Sequence, residues 1–250
     1  MTRTIVANIA TYPPRRERVL PMIRSLVDQV DRINLVLNEY DAPLPELTRL
    51  EKVHQIVPPE DLKDTGKFFP EVPAGATVFL LDDDVEYPPD FVRLSLERRA
   101  ALPAARRYLC GYHGSLYQWP ERGKAEGRLE HLRSGFGGIA DHRRRLVFYR
   151  ALERPTVVDQ IATNSAFLDA EDMPPWDWMK GSRKFVDVRL ARWCFRKGIA
   201  SVCLPREADW LKPVRFEETI YHGFTRTNPL NVTLEIWRYA FRSRERGKTL

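Results

Sequence analysis

The sequence has few cysteines, no apolar run long enough to cross a membrane and no low-complexity linker. Its three cysteines, Cys110, Cys194 and Cys203, are an odd number without metal-ligand spacing, so the sequence disfavours a disulfide scaffold. Free thiols of this kind are typical of a reducing compartment. Residues 1–11 lack the pattern of a secretion signal, so we expect a cytoplasmic protein.

The charge excess is positive but moderate, with a formal net charge of +6. Such an excess favours phosphate-bearing ligands, nucleic acid or an anionic membrane face. The arginines are dispersed or lie in expected loops, and the sequence shows no helix-turn-helix, zinc-finger or RNP-like pattern. We therefore expect no nucleic-acid partner. A hydrophobic content of 43% over 250 residues supports one large domain with a full core.

Short apolar runs alternate with helical patterns in the first part of the chain. Strands are predicted at 4–9, 33–37, 53–57 and 76–81, and helices at 18–30, at 47–50 and from Phe91 onward. This alternation predicts a parallel sheet with helices on both faces.

The second part of the chain is less regular. Residues 113–140 are rich in Gly, Arg and Glu with little periodicity, so we expect a long loop there. Further strands are predicted at 108–111, 145–152, 155–168 and 200–204, and a helix at 186–196 that ends at Gly198. Residues 234–242 mix aromatic residues with arginines at helical spacing. That segment either packs on the domain or lies on a membrane surface.

Three consecutive carboxylates, Asp82, Asp83 and Asp84, directly follow the apolar run at 76–81. They cannot all stay ionised at the end of a buried strand without a counter-charge. Mg²⁺ and Mn²⁺ prefer such oxygen ligands, and open α/β sheets bind ligands at the carboxyl ends of their strands. The triplet therefore predicts a divalent metal site. The alternative is an acidic turn that caps the next helix.

Several segments, in this order, resemble the GT-A-fold glycosyltransferases, especially the family-2-like enzymes of bacterial polysaccharide synthesis. The segments are Ile9-Ala10-Thr11-Tyr12-Pro13-Pro14-Arg15, residues 25–29, residues 33–40, Asp64-Thr65-Gly66-Lys67, Leu81-Asp82-Asp83-Asp84 with Tyr87-Pro88-Pro89-Asp90-Phe91, and residues 186–206. Among them the acidic triplet resembles the DxD motif of that family.

The resemblance implies a GT-A, Rossmann-like α/β fold with a mostly parallel sheet flanked by helices. It implies a nucleotide-sugar-binding half at 1–105, an irregular acceptor-binding half at 106–230 and a basic C-terminal helix or tail at 231–250. The implied activity is metal-dependent transfer of a sugar, from a donor expected to be UDP-linked, to a glycan or lipid-linked acceptor in surface polysaccharide synthesis. Peripheral contact with the inner face of a membrane, through the basic tail, is part of this expectation.

The same resemblance assigns the donor site. Asp84 is the expected direct ligand of Mn²⁺ or Mg²⁺, Asp82 is a second ligand or a ribose contact, and Asp83 serves either need. Lys67 is expected to reach a diphosphate oxygen, with a solvated loop lysine as the alternative. The candidates for base and ribose contacts are Thr11, Arg15, Asn38 and Asp64. Arg15 alternatively caps the helix that it precedes.

Asp187 is the candidate general base, by resemblance to the Asp of a Glu-Asp pair at the start of a helix. An enzyme that inverts the anomeric centre needs a carboxylate to take the proton of the acceptor hydroxyl. Here the pair is Val186-Asp187, so the first acid of the family's signature is missing. The alternative is a helix-terminal Asp favoured by the macrodipole.

Four further residues are weaker candidates. His222 is a candidate last metal ligand or diphosphate contact, although a lone histidine is also common as a surface or packing residue. Trp176 and Trp178 are expected either to stack on the acceptor sugar or to belong to the core. Asn164 is an acceptor-pocket candidate by position alone.

Two other functions compete with the transferase hypothesis. A nucleotidyltransferase would normally carry a glycine-rich loop after its first strand, and residues 11–16 contain no glycine. A GT-A-like scaffold that binds a nucleotide or glycan without catalysis stays open, because the acid before Asp187 is missing.

Overall fold

The computed structural model describes residues 3–118, 142–214 and 230–250. Its largest sheet has eight strands, which neighbour one another in the order β3, β2, β1, β4, β11, β6, β12 and β9. Their bounds are β1 Ile5–Thr11, β2 Arg32–Leu37, β3 Val53–Ile56, β4 Thr77–Leu81, β6 Tyr108–Gly111, β9 Thr156–Val157, β11 Ser165–Asp169 and β12 Ala200–Cys203. The smaller sheets are formed by β10 (Gln160–Ile161), β7 (Gly114–Tyr117) and β8 (Arg143–Leu146), and by β13 (Lys212–Pro213) with β5 (Val85–Glu86).

The large sheet is mixed but mostly parallel. Strands β1 to β4 are mutually parallel, and Ile9 of β1 stands opposite Leu81 of β4. Strand β11 runs antiparallel to both β4 and β6, and β9 runs antiparallel to β12. The α/β class and the mostly parallel sheet that the sequence predicts are therefore confirmed.

Helices cover both faces of this sheet. The α-helices of the described residues are α1 (Arg16–Leu26), α2 (Phe91–Ala100), α3 (Trp176–Met179), α4 (Val186–Lys197) and α5 (Leu230–Trp237). All of β4 is buried, as expected for a strand covered on both sides. Phe79 and Leu81 pack in the cluster that contains α1 and α2, whereas Val78 and Leu80 pack in the cluster that contains α4.

The predicted helices and strands of the first half are present with small shifts in their bounds. The helix predicted at 18–30 spans Arg16–Leu26, because residues 27–29 form a turn. The segment predicted as a helix at 47–50 is instead a single 3₁₀ turn, Pro45–Leu47. In the second half, α4 ends at Gly198, as predicted, and Gly198 adopts the left-handed conformation with φ of 67°.

Three predictions for the second half are wrong in part. Residues 114–117 of the expected loop form strand β7, and residues 119–141 lie outside the described part of the chain. A Cβ on Gly114 would lie 3.0 Å from Val158 and 3.1 Å from Cys203, so this glycine permits close packing of a strand and does not mark a loop. The strand predicted at 145–152 is the shorter β8, and the one predicted at 155–168 is divided among β9, β10 and β11.

The C-terminal helix α5 starts before the predicted segment 234–242 and packs on α4. Val232 and Ile236 of α5 form a buried cluster with Val188 and Ala191 of α4. The expectation that this helix packs on the domain is therefore confirmed. No helix of the described residues is long and apolar enough to span a membrane.

One edge of the large sheet gathers the segments that the sequence singles out. The carboxyl ends of β1, β2 and β4 meet there, together with the amino end of the antiparallel β11. A 3₁₀ helix, Lys63–Phe68, crosses this edge. A Cβ on Gly66 would lie 3.1 Å from Val36 and 3.2 Å from Ala10, so the glycine lets this helix sit directly on the strands.

Candidate active site

A pocket of about 320 Å³ opens at this edge of the sheet. It contains all eight residues predicted to bind the donor and metal at this end of the strands: Thr11, Arg15, Asn38, Asp64, Lys67, Asp82, Asp83 and Asp84. Its other lining residues, which the sequence does not single out, are Ala10, Tyr12, Glu39, Asp61 and Lys63. The structure therefore brings the predicted donor-site residues together, whatever their individual roles.

Asp83 is the inward-facing member of the acidic triplet. It is buried, and Thr11 Oγ1 donates to its Oδ2 at 2.7 Å. The guanidinium of Arg15 binds its Oδ1. Burial raises the pKa of Asp83, and the charge of Arg15 opposes that shift. Asp83 thus holds Arg15 at the pocket. The alternative that Arg15 caps α1 is wrong, because its side chain makes no capping hydrogen bond to that helix.

Asp82 and Asp84 present their carboxylates to the pocket. Their side chains are 33% and 32% exposed. Asp82 Oδ1 accepts from the Lys67 ammonium, and Asp84 Oδ2 lies 3.6 Å from an Arg15 nitrogen. Burial, and then the neighbouring charge of Asp82, raises the pKa of Asp84 to about 7. Two crowded carboxylates of this kind are a suitable environment for a cation.

The chemistry of the pocket oxygens suits a divalent ion. Asp82 and Asp84 line the pocket and offer hard carboxylate oxygens, the type of ligand that Mg²⁺ and Mn²⁺ prefer. No group of three or more His, Cys, Asp or Glu side chains is arranged to hold a metal within the described ranges. These two carboxylates would therefore share the ion with oxygens of a ligand or water. This arrangement is common for Mg²⁺.

Lys67 is buried and is not a solvated loop residue, so that alternative is wrong. Its ammonium binds Asp82 and also donates to Thr163, at 3.2 Å to the carbonyl and 3.1 Å to Oγ1. Burial lowers the pKa of Lys67, but the carboxylates of Asp82, Asp187 and Asp64 together outweigh this and raise it above the ordinary value. The main chain at Lys67 is held by Asn8 Nδ2, which donates to its carbonyl at 2.8 Å. The lysine is a fixed positive charge in the lining of the pocket.

Asn38 and Asp64 fix the loop above the strands. Asn38 Nδ2 donates to the carbonyl of Lys63 at 2.9 Å, and its Oδ1 accepts from the amide of Leu62 at 3.0 Å. Asp64 Oδ1 accepts from the amide of Lys184 at 2.7 Å. Burial raises the pKa of Asp64 to about 6. Both residues line the pocket while their side chains also support its shape.

Asp187 lies in the first turn of α4, next to the pocket but not among its lining residues. Its Oδ1 accepts from Thr163 twice, at 2.8 Å from the amide and 2.9 Å from Oγ1. Burial raises the pKa of Asp187, while the bonds from Thr163 and the charge of Lys67 oppose the rise. Its position also fits the helix-terminal alternative, but its side chain is tied to the sheet edge.

The acceptor candidates are not gathered around one opening. Trp176 packs edge-on against Phe69 with ring centroids 5.3 Å apart, and both Trp176 and Trp178 pack against a core cluster. These contacts favour the core alternative for the two tryptophans. Asn164 lies beside Thr163, and its Nδ2 is 3.4 Å from Nδ1 of His113. His222 lies outside the described residues.

Three residues near the site have contacts that the sequence did not predict. Thr163 links Lys67 to Asp187. In the sequence it belongs to a group of small polar residues of the kind that commonly precedes a strand. Tyr87 is buried, and its hydroxyl bonds to the main chain of Asp82 and to the carbonyl of Asn164 at 2.6 Å. Lys67, Asp187 and Asn164 are distant in sequence from the residues that they contact here, so spacing could not reveal these contacts.

His113 is the third of these residues. Burial, followed by the positive charges of Arg143, Arg145 and Arg206, lowers the pKa of His113 to about 4. It is therefore neutral near pH 7 and can serve as a hydrogen-bonding partner beside Asn164.

Comparisons with known proteins give a limited result. No family model matches the chain, and no curated protein matches it. Among solved structures, one described as a mycobacterial protein has a TM-score of 0.49 and 14% identity, covering 93% of this chain and 73% of that one. Glucosyl-3-phosphoglycerate synthase from Mycobacterium tuberculosis, in complex with Mn²⁺, UDP-glucose and phosphoglyceric acid, has a TM-score of 0.46 and 14% identity, covering 94% and 79%.

The same synthase in complex with phosphoglyceric acid has a TM-score of 0.45 and 13% identity, covering 97% of this chain and 82% of that one. These scores are all below 0.5. At these scores the structural similarity is distant.

Proposed function

We propose that this chain is a GT-A-type glycosyltransferase that moves a sugar from a nucleotide-sugar to a glycan or lipid-linked acceptor. The observation that carries the proposal is the pocket at the carboxyl edge of the sheet. It gathers the eight residues that the sequence resemblance assigned to the donor, including two partly exposed carboxylates, Asp82 and Asp84. In this proposal residues 1–105 supply the donor half and residues 106–230 the acceptor half.

Asp82 and Asp84 would hold a Mn²⁺ or Mg²⁺ ion at the donor diphosphate. When bound, such an ion neutralises the negative charge that develops on the leaving diphosphate. Arg15, fixed by Asp83, places a second positive charge at the same opening. Lys67 holds the Asp82 carboxylate in place. We expect a UDP-linked sugar, with its base and ribose near Thr11, Arg15, Asn38 and Asp64.

Asp187 would take the proton from the acceptor hydroxyl. Its Oδ1 is engaged twice by Thr163, so Oδ2 is the oxygen that can receive a proton. A raised pKa brings a carboxylate closer to the working pH, which suits a general base. Attack by the acceptor oxygen on the face opposite the leaving diphosphate would invert the anomeric centre. Asn164 and His113 lie beside this position and belong to the proposed acceptor side.

The C-terminal helix α5 offers a surface that suits an anionic membrane. Helix α5 exposes Leu230 and Leu234 by 59% and 44%, and the exposed Arg238 follows on the same stripe. Burial lowers the pKa of the Arg192 guanidinium on α4, Glu235 opposes this shift, and the nearby charge of Arg238 adds to it. Leucines flanked by arginines are typical of helices that lie at a lipid surface. We propose peripheral contact through this surface, in keeping with a lipid-linked acceptor in polysaccharide synthesis.

The donor site can be tested by thermal shift. The protein is melted with a panel of nucleoside diphosphates and nucleotide-sugars, each with and without Mn²⁺, as wild type and as Asp84→Ala. A ligand present at about a hundred times its Kd stabilises the native state by about 2.7 kcal/mol. Stabilisation by one nucleotide family that requires metal and disappears in Asp84→Ala supports the proposal.

A matched control is Asp177→Ala, which removes a carboxylate that is 82% exposed on α3. This variant should keep the shift with the metal and the nucleotide. Absence of any metal-dependent shift in the wild type would overturn the transferase proposal. Nucleotide binding without detectable hydrolysis of any nucleotide-sugar in Mn²⁺ would favour the scaffold alternative.

A further inference from the structure

Thr163 occupies the point where the donor pocket meets the proposed base. It lies two positions before Ser165, the first residue of β11, and Ser165 pairs with Leu81, the last residue of β4 before Asp82. Thr163 is 3% exposed, so its polar atoms must find partners within the protein. It finds them on both sides, in Lys67 and in Asp187.

The direction of each hydrogen bond follows from the chemistry of the groups. A lysine ammonium only donates, so Thr163 Oγ1 accepts from Lys67 at 3.1 Å. The single hydroxyl proton of Thr163 is then directed to Asp187 Oδ1, at 2.9 Å. The Thr163 amide donates to the same oxygen at 2.8 Å, which fixes the rotation of the carboxylate.

We propose that Thr163 is a positioning residue that couples the donor site to the base through the chain Asp82, Lys67, Thr163 and Asp187. It holds Oδ1 of Asp187 so that Oδ2 faces the acceptor, and it transmits the position of Lys67, which is set by Asp82 at the donor pocket. This inference rests on the proposed function, because Asp187 must act as the base.

The charged and titratable groups around Asp187 set its pKa, so the pH dependence of the rate tests the inference. A merely structural role of Thr163 would leave that pH dependence unchanged. Lys67 favours the ionised carboxylate, whereas Asp82 opposes it, and Asp64 and Tyr117 are also within electrostatic range. The two bonds from Thr163 favour ionisation. Removing the hydroxyl should therefore raise the pKa of the base and move the acid limb of the rate profile to higher pH.

The experiment measures release of nucleoside diphosphate from UDP-, GDP- and dTDP-linked hexoses in Mn²⁺, with water as the acceptor. Wild type is compared with Thr163→Val and Thr163→Ser over the pH range. We expect Thr163→Val to lower kcat about tenfold, the effect of one lost hydrogen bond to a charged group, with KM nearly unchanged. Its acid limb should move to higher pH, and Thr163→Ser should restore both kcat and the limb.

Thr233→Val is the matched control, because Thr233 is similarly buried but lies on α5. It should keep the wild-type kcat and pH profile. If Thr163→Val does not melt cooperatively, Thr163→Ala replaces it, since that change keeps the main-chain bonds to Asp187 and Lys67.

The outcomes separate the two ideas. A valine variant with wild-type kcat and pH profile would overturn the role of Thr163 and leave the transferase proposal standing. A change in KM alone, or equal losses in the valine and serine variants, would overturn that role as well. If the wild type hydrolyses none of the nucleotide-sugars, the proposed function fails, and the role of Thr163 fails with it.

Discussion

The donor edge and the C-terminal tail, residues 238–250, use buried charge in opposite ways. At the donor edge, the three carboxylates of Asp82, Asp83 and Asp84 share two cations, Lys67 and Arg15, and burial and Asp82 raise the pKa of Asp84. Where the tail docks, the Asp159 carboxylate receives the Arg246 guanidinium and the amide of Tyr117, so its charge is fully compensated.

This difference distinguishes a site from a structural link. Excess negative charge in an open pocket costs stability unless a ligand compensates for it, so it points to a function. A buried pair that is matched and hydrogen-bonded on every side points to fold stability. Four predictions test this distinction, from the largest expected effect to the smallest.

The largest effect is expected for Asp187→Asn. An amide cannot take a proton, so loss of general-base catalysis should lower kcat for donor hydrolysis by roughly 10²- to 10⁴-fold. The amide oxygen still accepts from Thr163, and Asp187 does not line the donor pocket, so the metal-dependent thermal shift should persist. Product release and thermal melting measure the two properties. A variant with nearly full activity would show that the base lies elsewhere.

The second effect is on stability and should be confined to the tail. Arg246→Ala removes the guanidinium that pairs with Asp159, whose side chain is 1% exposed. Breaking a buried pair by removing one partner costs about 3–5 kcal/mol, although the 28% exposure of Arg246 places the value near the lower end. Urea unfolding measures this loss.

Two controls accompany Arg246→Ala. Arg244→Ala removes an exposed arginine of the same tail and should change the free energy of unfolding little. In the double variant with Asp159→Asn, the second change should cost much less than it does alone. Additive losses would mean that the pair does not lock the tail.

The donor edge was easier to predict from the sequence than the tail for a physical reason. Strand β4 is a continuous apolar run with its acids directly after it, so strand and site are neighbours in sequence. Because β1, β2 and β4 are parallel neighbours, their carboxyl ends meet at the same edge of the sheet. These local patterns predict a metal site at this edge, whereas Thr11, Arg15, Asn38, Asp64 and Lys67 were assigned by the family resemblance.

The links across the site were not predictable in this way. Thr163 meets Lys67 across 96 positions of sequence, and Arg246 meets Asp159 across 87. The contacts depend on the antiparallel insertion of β11 and on the path of the tail, which no periodicity encodes. Gly114 misled the prediction because a glycine needed for close strand packing resembles a loop glycine in sequence.

The third prediction concerns pH. The pKa of Asp64 is about 6 in the folded protein, above its ordinary value of 3.8. The folded state therefore binds the proton more tightly, and stability from this group falls as pH rises from about 4 to 6. In Asp64→Asn that loss is absent, while Oδ1 can still accept from the amide of Lys184.

The free energy of unfolding of Asp64→Asn, relative to that of the wild type, should therefore increase from about pH 4.5 to about pH 7.5. The increase should be about 2 kcal/mol at most. Urea unfolding at the two pH values gives this difference directly. A gain of the same size at both would mean that ionisation of Asp64 is not the cause. Such a result would weaken the contrast between the charge-crowded edge and the compensated tail.

The smallest effect is expected at the surface of α5. Arg238 is exposed beside Leu234, so it can reach lipid phosphates without disturbing the core. One arginine near an anionic membrane contributes about 1 kcal/mol, so Arg238→Gln should weaken binding to phosphatidylglycerol-containing vesicles roughly fivefold. Arg154→Gln, an exposed arginine outside this surface, should bind like the wild type. Vesicle sedimentation measures both. Binding to neither kind of vesicle would remove the membrane from the proposal, and equal binding to neutral and anionic vesicles would remove the role of Arg238 in it.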